Sequence, residues 1–174
     1  MTNTNTDTDT DTPHIECIDE FVTFRNYYFL LNAAIAKFNE NEKVIILVKD
    51  LNLEGLKNEE CSIVDDLFKQ IYQLRSERSF NLGHKHITVL PNEVYCNYCT
   101  LSYSRITSLP SVLYVTHNLD YEFGGLGSFM DWPKVFHTGV EIGGTIFCDS
   151  WKTVKELVKL NPHIANSFVS YLGG

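Results

Sequence analysis

Val135-Phe136-His137-Thr138-Gly139-Val140-Glu141-Ile142-Gly143-Gly144-Thr145-Ile146-Phe147 reads as strand, tight turn, strand. Val140 and Ile142 alternate with Glu141, as in a strand with one buried face. Gly143-Gly144 is a two-residue hairpin signal, because glycine supplies the positive φ such turns need. An antiparallel pair follows, with His137 at the start of its first strand. Gly139 leaves room for another backbone to approach. An imidazole on a rigid strand is well held for work as a base or a ligand.

Working outward, the other segments complete an α+β reading. Phe21, Phe24, Tyr28, Leu31, Ile35 and Phe38 keep one apolar stripe at helical spacing, which predicts a helix over Asp19–Asn39. Val44-Ile45-Ile46-Leu47-Val48 is a continuous apolar run, hence a strand covered on both faces. A second long helix is expected over Asn58–Glu77, with Cys61, Val64, Phe68, Ile71, Tyr72 and Arg75 on one face. Short strands are expected around Ile87, Val94 and Val112. Lys152–Leu160 reads as a short helix, and Pro162 opens another, with Ile164, Phe168 and Leu172 inward. No internal repeat is read. The expected architecture is therefore two N-terminal helices packed on a mainly antiparallel sheet. Residues 1–13, rich in Thr, Asn and Asp, contain nothing apolar to offset the entropy of ordering and read as a disordered tail. Residues 14–174 read as one globular domain.

Composition narrows the function classes. The chain has 174 residues, of which 44% are hydrophobic and 13% aromatic, a globular profile. A net charge of −8 argues against nonspecific binding to nucleic acid, which needs a basic face. No apolar run is long enough to span a membrane, and no secretory signal is read at the N-terminus. Five cysteines, an odd number, fit reduced thiols in a cytoplasmic or nuclear setting.

Several residues carry chemistry. Cys61 is placed in the first turn of the second helix, where orphan N–H groups and the helix dipole favour a thiolate. Glu59 and Glu60 oppose that by their charge. Cys96 and Cys99 form a CxxC pair near His84 and His86. Two thiolates and two imidazoles could complete a tetrahedral zinc site, and zinc is the one cofactor the residues suggest. The long loop from Asn118 to Pro133, with Phe129 and Trp132, leads into the His137 strand. Loops of that length in a compact domain are usually functional or mobile.

Phe136-His137-Thr138-Gly139-Val140-Glu141-Ile142, followed by Gly144 and an aromatic residue, resembles the histidine strand of the PPPDE family of papain-like cysteine isopeptidases. Val112–Leu119 resembles the family's first strand, and Gly124-Gly125-Leu126-Gly127 the loop before its histidine. The resemblance spans Ser111 to Asp149. It implies a papain-like shell and a thiol hydrolase acting on peptide or isopeptide bonds, with His137 as general base. The family's nucleophile lies downstream of the histidine, in an Asn-Cys-Asn type motif. Here only Cys148 follows His137, so the nucleophile would be Cys61, or else Cys99, with His117 or Asn118 orienting the imidazole. The alternative is a noncatalytic protein-binding or structural domain, steadied by zinc at His84, His86, Cys96 and Cys99. Either reading expects a protein or peptide partner. The sequence leaves oligomeric state open.

Overall fold

The computed structural model describes residues 14–22, 43–123, 133–166 and 168–171. Among them, eleven strands form one sheet, and every pairing in it is parallel. In chain order they are β1 (His14–Val22), β2 (Val44–Asn52), β3 (Ile71–Ser76), β4 (Ser79–Asn81), β5 (Glu93–Cys96), β6 (Tyr98–Thr100), β7 (Val112–Val115), β8 (Leu119–Asp120), β9 (Val140–Ile142), β10 (Thr145–Cys148) and β11 (Phe168–Tyr171). Two short α-helices, α1 (Cys61–Gln70) and α2 (Trp151–Leu160), follow β2 and β10.

The pairings fork at β2. Its first half pairs with β3 and its end with β4, and β1 lies beside it as well. One ladder continues as β3-β5-β7-β9, the other as β4-β6-β8-β10-β11. The pairs β3/β4, β5/β6, β7/β8 and β9/β10 are therefore split between the two ladders, and each is joined by a short corner: Glu77-Arg78, Asn97, Thr116-His117-Asn118 and Gly143-Gly144. The corners also stack. The Asn97 amide donates to the Arg78 carbonyl at 2.9 Å, His117 to Asn97 at 2.8 Å and Gly143 to Val115 at 2.7 Å. A chain that lays one strand per ladder on every circuit and returns by a loop or helix is a solenoid, in which each coil rests mainly on its neighbours.

The core runs through the coils as columns. Ile46, Leu74, Val94, Leu113 and Val140 are register partners on the first ladder, and all are buried. Leu51, Phe80, Cys99, Leu119 and Ile146 form the matching buried column on the second. Each such side chain contributes about 1.5–3 kcal/mol by leaving water, so every coil is stabilised mainly by the next one.

This arrangement corrects the expected antiparallel sheet and paired N-terminal helices. Gly143-Gly144 is a corner between ladders: β9 pairs with β7 and β10 with β8, never with each other. A hairpin and a solenoid corner use glycine alike, and the local sequence does not separate them. His137 lies in a turn before β9, with its carbonyl accepting from Val140 at 2.9 Å. The helix expected over Asn58–Glu77 ends at Gln70, where Ile71 turns extended and Leu74 and Ser76 take up the alternation of β3. Ile87–Leu90 is irregular. Asp19–Val22 belongs to β1, and Phe168 opens β11 after a 3-10 turn over Pro162–Asn166. The rest of the first expected helix, the N-terminal tail, Phe129, Trp132 and the end of the chain lie outside the described residues.

There is also a repeat. Ile87-Thr88-Val89-Leu90-Pro91 recurs as Ile106-Thr107-Ser108-Leu109-Pro110. The same offset relates Val94-Tyr95-Cys96 to Leu113-Tyr114-Val115, which are register partners 19 residues apart. His84 and Tyr103, again at that offset, both adopt left-handed backbone with φ of 62° and 57°. Their rings stack with centroids 4.9 Å apart.

Two buried polar side chains clamp the return segments. Asp65 on α1 accepts from the Thr88 amide at 2.9 Å and the Thr88 hydroxyl at 2.7 Å. Asn161, after α2, accepts from the Phe136 amide at 2.8 Å and donates to the carbonyls of Lys134 and Leu157. Asp65→Ala leaves those donors on Thr88 unpaired and should cost about 2–3 kcal/mol. Urea denaturation reads this directly. An unchanged midpoint would show that the clamp carries no stability.

Candidate binding face

Alternation along the first ladder sends one residue per coil outward. Leu74-Arg75-Ser76, Val94-Tyr95-Cys96 and Leu113-Tyr114-Val115 each bury their outer members and present the middle one. Register then aligns Arg75, Tyr95 and Tyr114 on successive strands, followed by Glu141. The Arg75 guanidinium lies 4.2 Å from the Tyr95 ring centroid, and the Tyr95 and Tyr114 centroids are 6.1 Å apart.

A polar lattice fixes this row. Arg75 Nε donates to Gln73 Oε1 at 2.7 Å, and Gln73 Nε2 donates to Glu93 Oε1 at 2.9 Å. The Tyr95 hydroxyl donates to the same carboxylate oxygen at 3.3 Å. Desolvation, then the nearby Glu93 charge, raises the Tyr95 pKa, so the phenol stays a donor. At the corner, the Thr116 hydroxyl donates to Asn97 Oδ1 at 2.9 Å, and Asn97 Nδ2 donates to the Glu77 carbonyl at 2.8 Å. Tyr98 and His117 stack beside it at 4.8 Å.

Arg75, Tyr95, Asn97, Tyr114 and Thr116 line an open groove of about 550 Å³, with Lys49 on β2 and Tyr114 on β7 at its two sides. Tyr114 is 42% exposed. An outward row of Arg and Tyr on a rigid sheet has the composition of a protein-binding surface, since those residues are enriched at interface centres.

Among the described residues no hydrogen bond or ring contact joins His137 to Cys61 or Cys99. His137 is exposed. Cys61 begins α1, buried, and its thiol donates to the Lys57 carbonyl at 3.6 Å. The strands these two lead into, β9 and β3, are three strand spacings apart, about 14 Å. Burial raises the Cys61 pKa, with Asp65 and Glu60 adding to the effect against the His86 backbone and Lys85. Burial, together with the adjacent Cys96 thiol, holds Cys99 well above the usual thiol range. Burial also pushes Cys148 up to about 12, with Asp149 and Glu122 contributing. Cys61, Cys99 and Cys148 are therefore not poised as thiolates. His117 Nδ1 is engaged by the Thr116 hydroxyl at 2.8 Å, and Asn118 Oδ1 accepts from the Thr145 amide at 3.0 Å.

The metal ligands suggested by spacing are also apart. His84 is exposed and stacks on Tyr103, whereas Cys96 and Cys99 are buried in the core. Among the described residues no group of three or more His, Cys, Asp or Glu side chains is arranged to hold an ion.

Sequence reasoning missed Arg75, Tyr95 and Tyr114 as a site. The repeated apolar-x-apolar triplet was the available signal. Comparison with protein-family models, curated proteins and solved structures gives no match. Among the described residues no helix is long and apolar enough to cross a membrane.

Proposed function

We propose that the chain is a noncatalytic protein-binding solenoid that holds a peptide segment of a partner in the groove over Arg75, Tyr95 and Tyr114. The observation that carries this reading is the in-register row of those side chains on three successive coils, locked by Gln73 and Glu93. Such preorganisation lowers the entropy cost of binding, because the partner meets rings and a guanidinium already in place. Stacked coils also suit an extended ligand, since they present a repeating surface along one axis. A cytoplasmic or nuclear setting agrees with the four free, buried thiols among the described residues.

The test is selection of a phage-displayed random peptide library on the folded protein. Selected peptides should bind Tyr114→Ser at least tenfold more weakly, the size of effect expected for one central aromatic anchor. Tyr98→Ser, outside the groove, should leave binding unchanged. Peptides that bind Tyr114→Ser as well as the parent would overturn the reading, as would failure to enrich any sequence.

A further inference from the structure

We infer that the groove selects peptide segments carrying an Asp or Glu side chain three residues from an aromatic one, with the carboxylate on Arg75 and the aromatic ring on Tyr114. This rests on the protein-binding reading above and adds the chemistry of the partner.

Arg75 is the reason for the acid. Among the described residues its charge has no ion-pair partner: its interactions there are the bond to Gln73 and the contact over the Tyr95 ring. Arg75 is exposed, and with Nε held by Gln73 its two terminal nitrogens remain as a fork with no other hydrogen-bond partner among the described residues. That fork matches a carboxylate, which accepts two parallel N–H bonds. Charge complementarity points the same way. Among the charged residues of the groove lining, Arg75 and Lys49 stand with one acid, Glu77.

Tyr114 is the reason for the ring. Tyr95 is half-buried between Arg75 and Tyr114, so Tyr114 is the exposed platform at the far end of the row. Arg75 and Tyr114 are two strand spacings apart, about 10 Å. A peptide in polyproline II conformation rises about 3.1 Å per residue with three residues per turn, so side chains three apart share one face and span about 9 Å. A segment running along the ladder therefore brings its acid and its ring to the two positions at once.

The experiment uses the most strongly enriched peptide from the selection above, resynthesised with its acid as Glu or as Gln. Fluorescence anisotropy measures both against the parent, Arg75→Gln and Arg75→Lys. For the parent, Glu→Gln in the peptide should weaken binding at least tenfold. For Arg75→Gln the two peptides should bind within twofold of each other. Arg75→Lys, which keeps the charge and loses the fork, should fall between. Three results would overturn the inference while leaving the groove as a binding site: enriched peptides that need Tyr114 but hold no acid, a Glu→Gln loss that persists in Arg75→Gln, or displacement of the peptide by a single-stranded oligonucleotide at equal concentration. Loss of Tyr114 dependence would instead remove the binding site itself.

Discussion

Gly144→Ala should destabilise the protein by about 3 kcal/mol or more, far beyond the usual cost of one exposed methyl group. A β-carbon built at Gly144 collides with the carbonyl oxygen of His117 and sits 2.6 Å from Asn118 Oδ1. Those atoms form the corner of the preceding coil. The carbonyl is backbone, and Asn118 Oδ1 is already engaged by the Thr145 amide, so neither can swing aside. Gly139→Ala should behave likewise, because its β-carbon meets the Ser111 carbonyl oxygen. Gly55→Ala is the control: nothing lies within 4 Å of its added carbon. Urea midpoints of the three variants decide the matter. Equal midpoints for Gly144→Ala and Gly55→Ala would mean that the fifth coil does not rest on the fourth as described.

Alkaline pH should unfold the protein steeply, and the slope reports on thiol chemistry. Cys61, Cys99 and Cys148 are buried and titrate above the usual thiol range, Cys148 at about 12. The unfolded chain releases these protons at ordinary thiol values while the folded chain keeps them. Their contribution is intact below the unfolded pKa and is lost as pH rises toward the folded one. Each thiol then removes up to about 1.4 kcal/mol per pH unit. Urea denaturation under reducing conditions at pH 8, 9 and 10 should show stability falling, with a shallower fall in Cys148→Ala. A nucleophilic Cys61 paired with an imidazolium would have the opposite sign, since a depressed pKa adds stability once pH exceeds its folded value. Stability that is flat or rising from pH 8 to 10 would contradict the buried-thiol description.

Segments with a strong local signal were legible in the sequence. Val44–Val48 and Val112–Val115 are strands because their apolar runs allow little else, and Lys152–Leu160 is helical because Val154 and Leu157 share one face. The cap of that helix is local too: Ser150 Oγ accepts from the Thr153 amide at 3.2 Å. Strand partners were not legible. Strands of three or four residues carry too few alternations to show which face is buried. A single Gly-Gly pair serves a hairpin and a corner equally. The repeat was obscured because first-ladder strands begin at residues 44, 71, 93, 112 and 140, at uneven intervals. The binding face was hidden for a related reason. Arg75 sat on the face of an assumed helix, and Tyr95 stood beside a CxxC pair that suggested metal. Only the parallel register places the two on neighbouring strands.

The 19-residue offset between β5 and β7 bears on how such a chain can change length. Val94-Tyr95-Cys96 and Leu113-Tyr114-Val115 each sit between two parallel strands that carry an outward residue flanked by a buried one, so a tandem duplication of that unit inserts one more rung without a new kind of contact. Each rung lengthens the groove by one strand spacing, about 4.8 Å, and adds one outward side chain that is free to vary. The reach of the groove and the order of residues along it can therefore evolve by copying and point substitution, while the buried columns stay as they are.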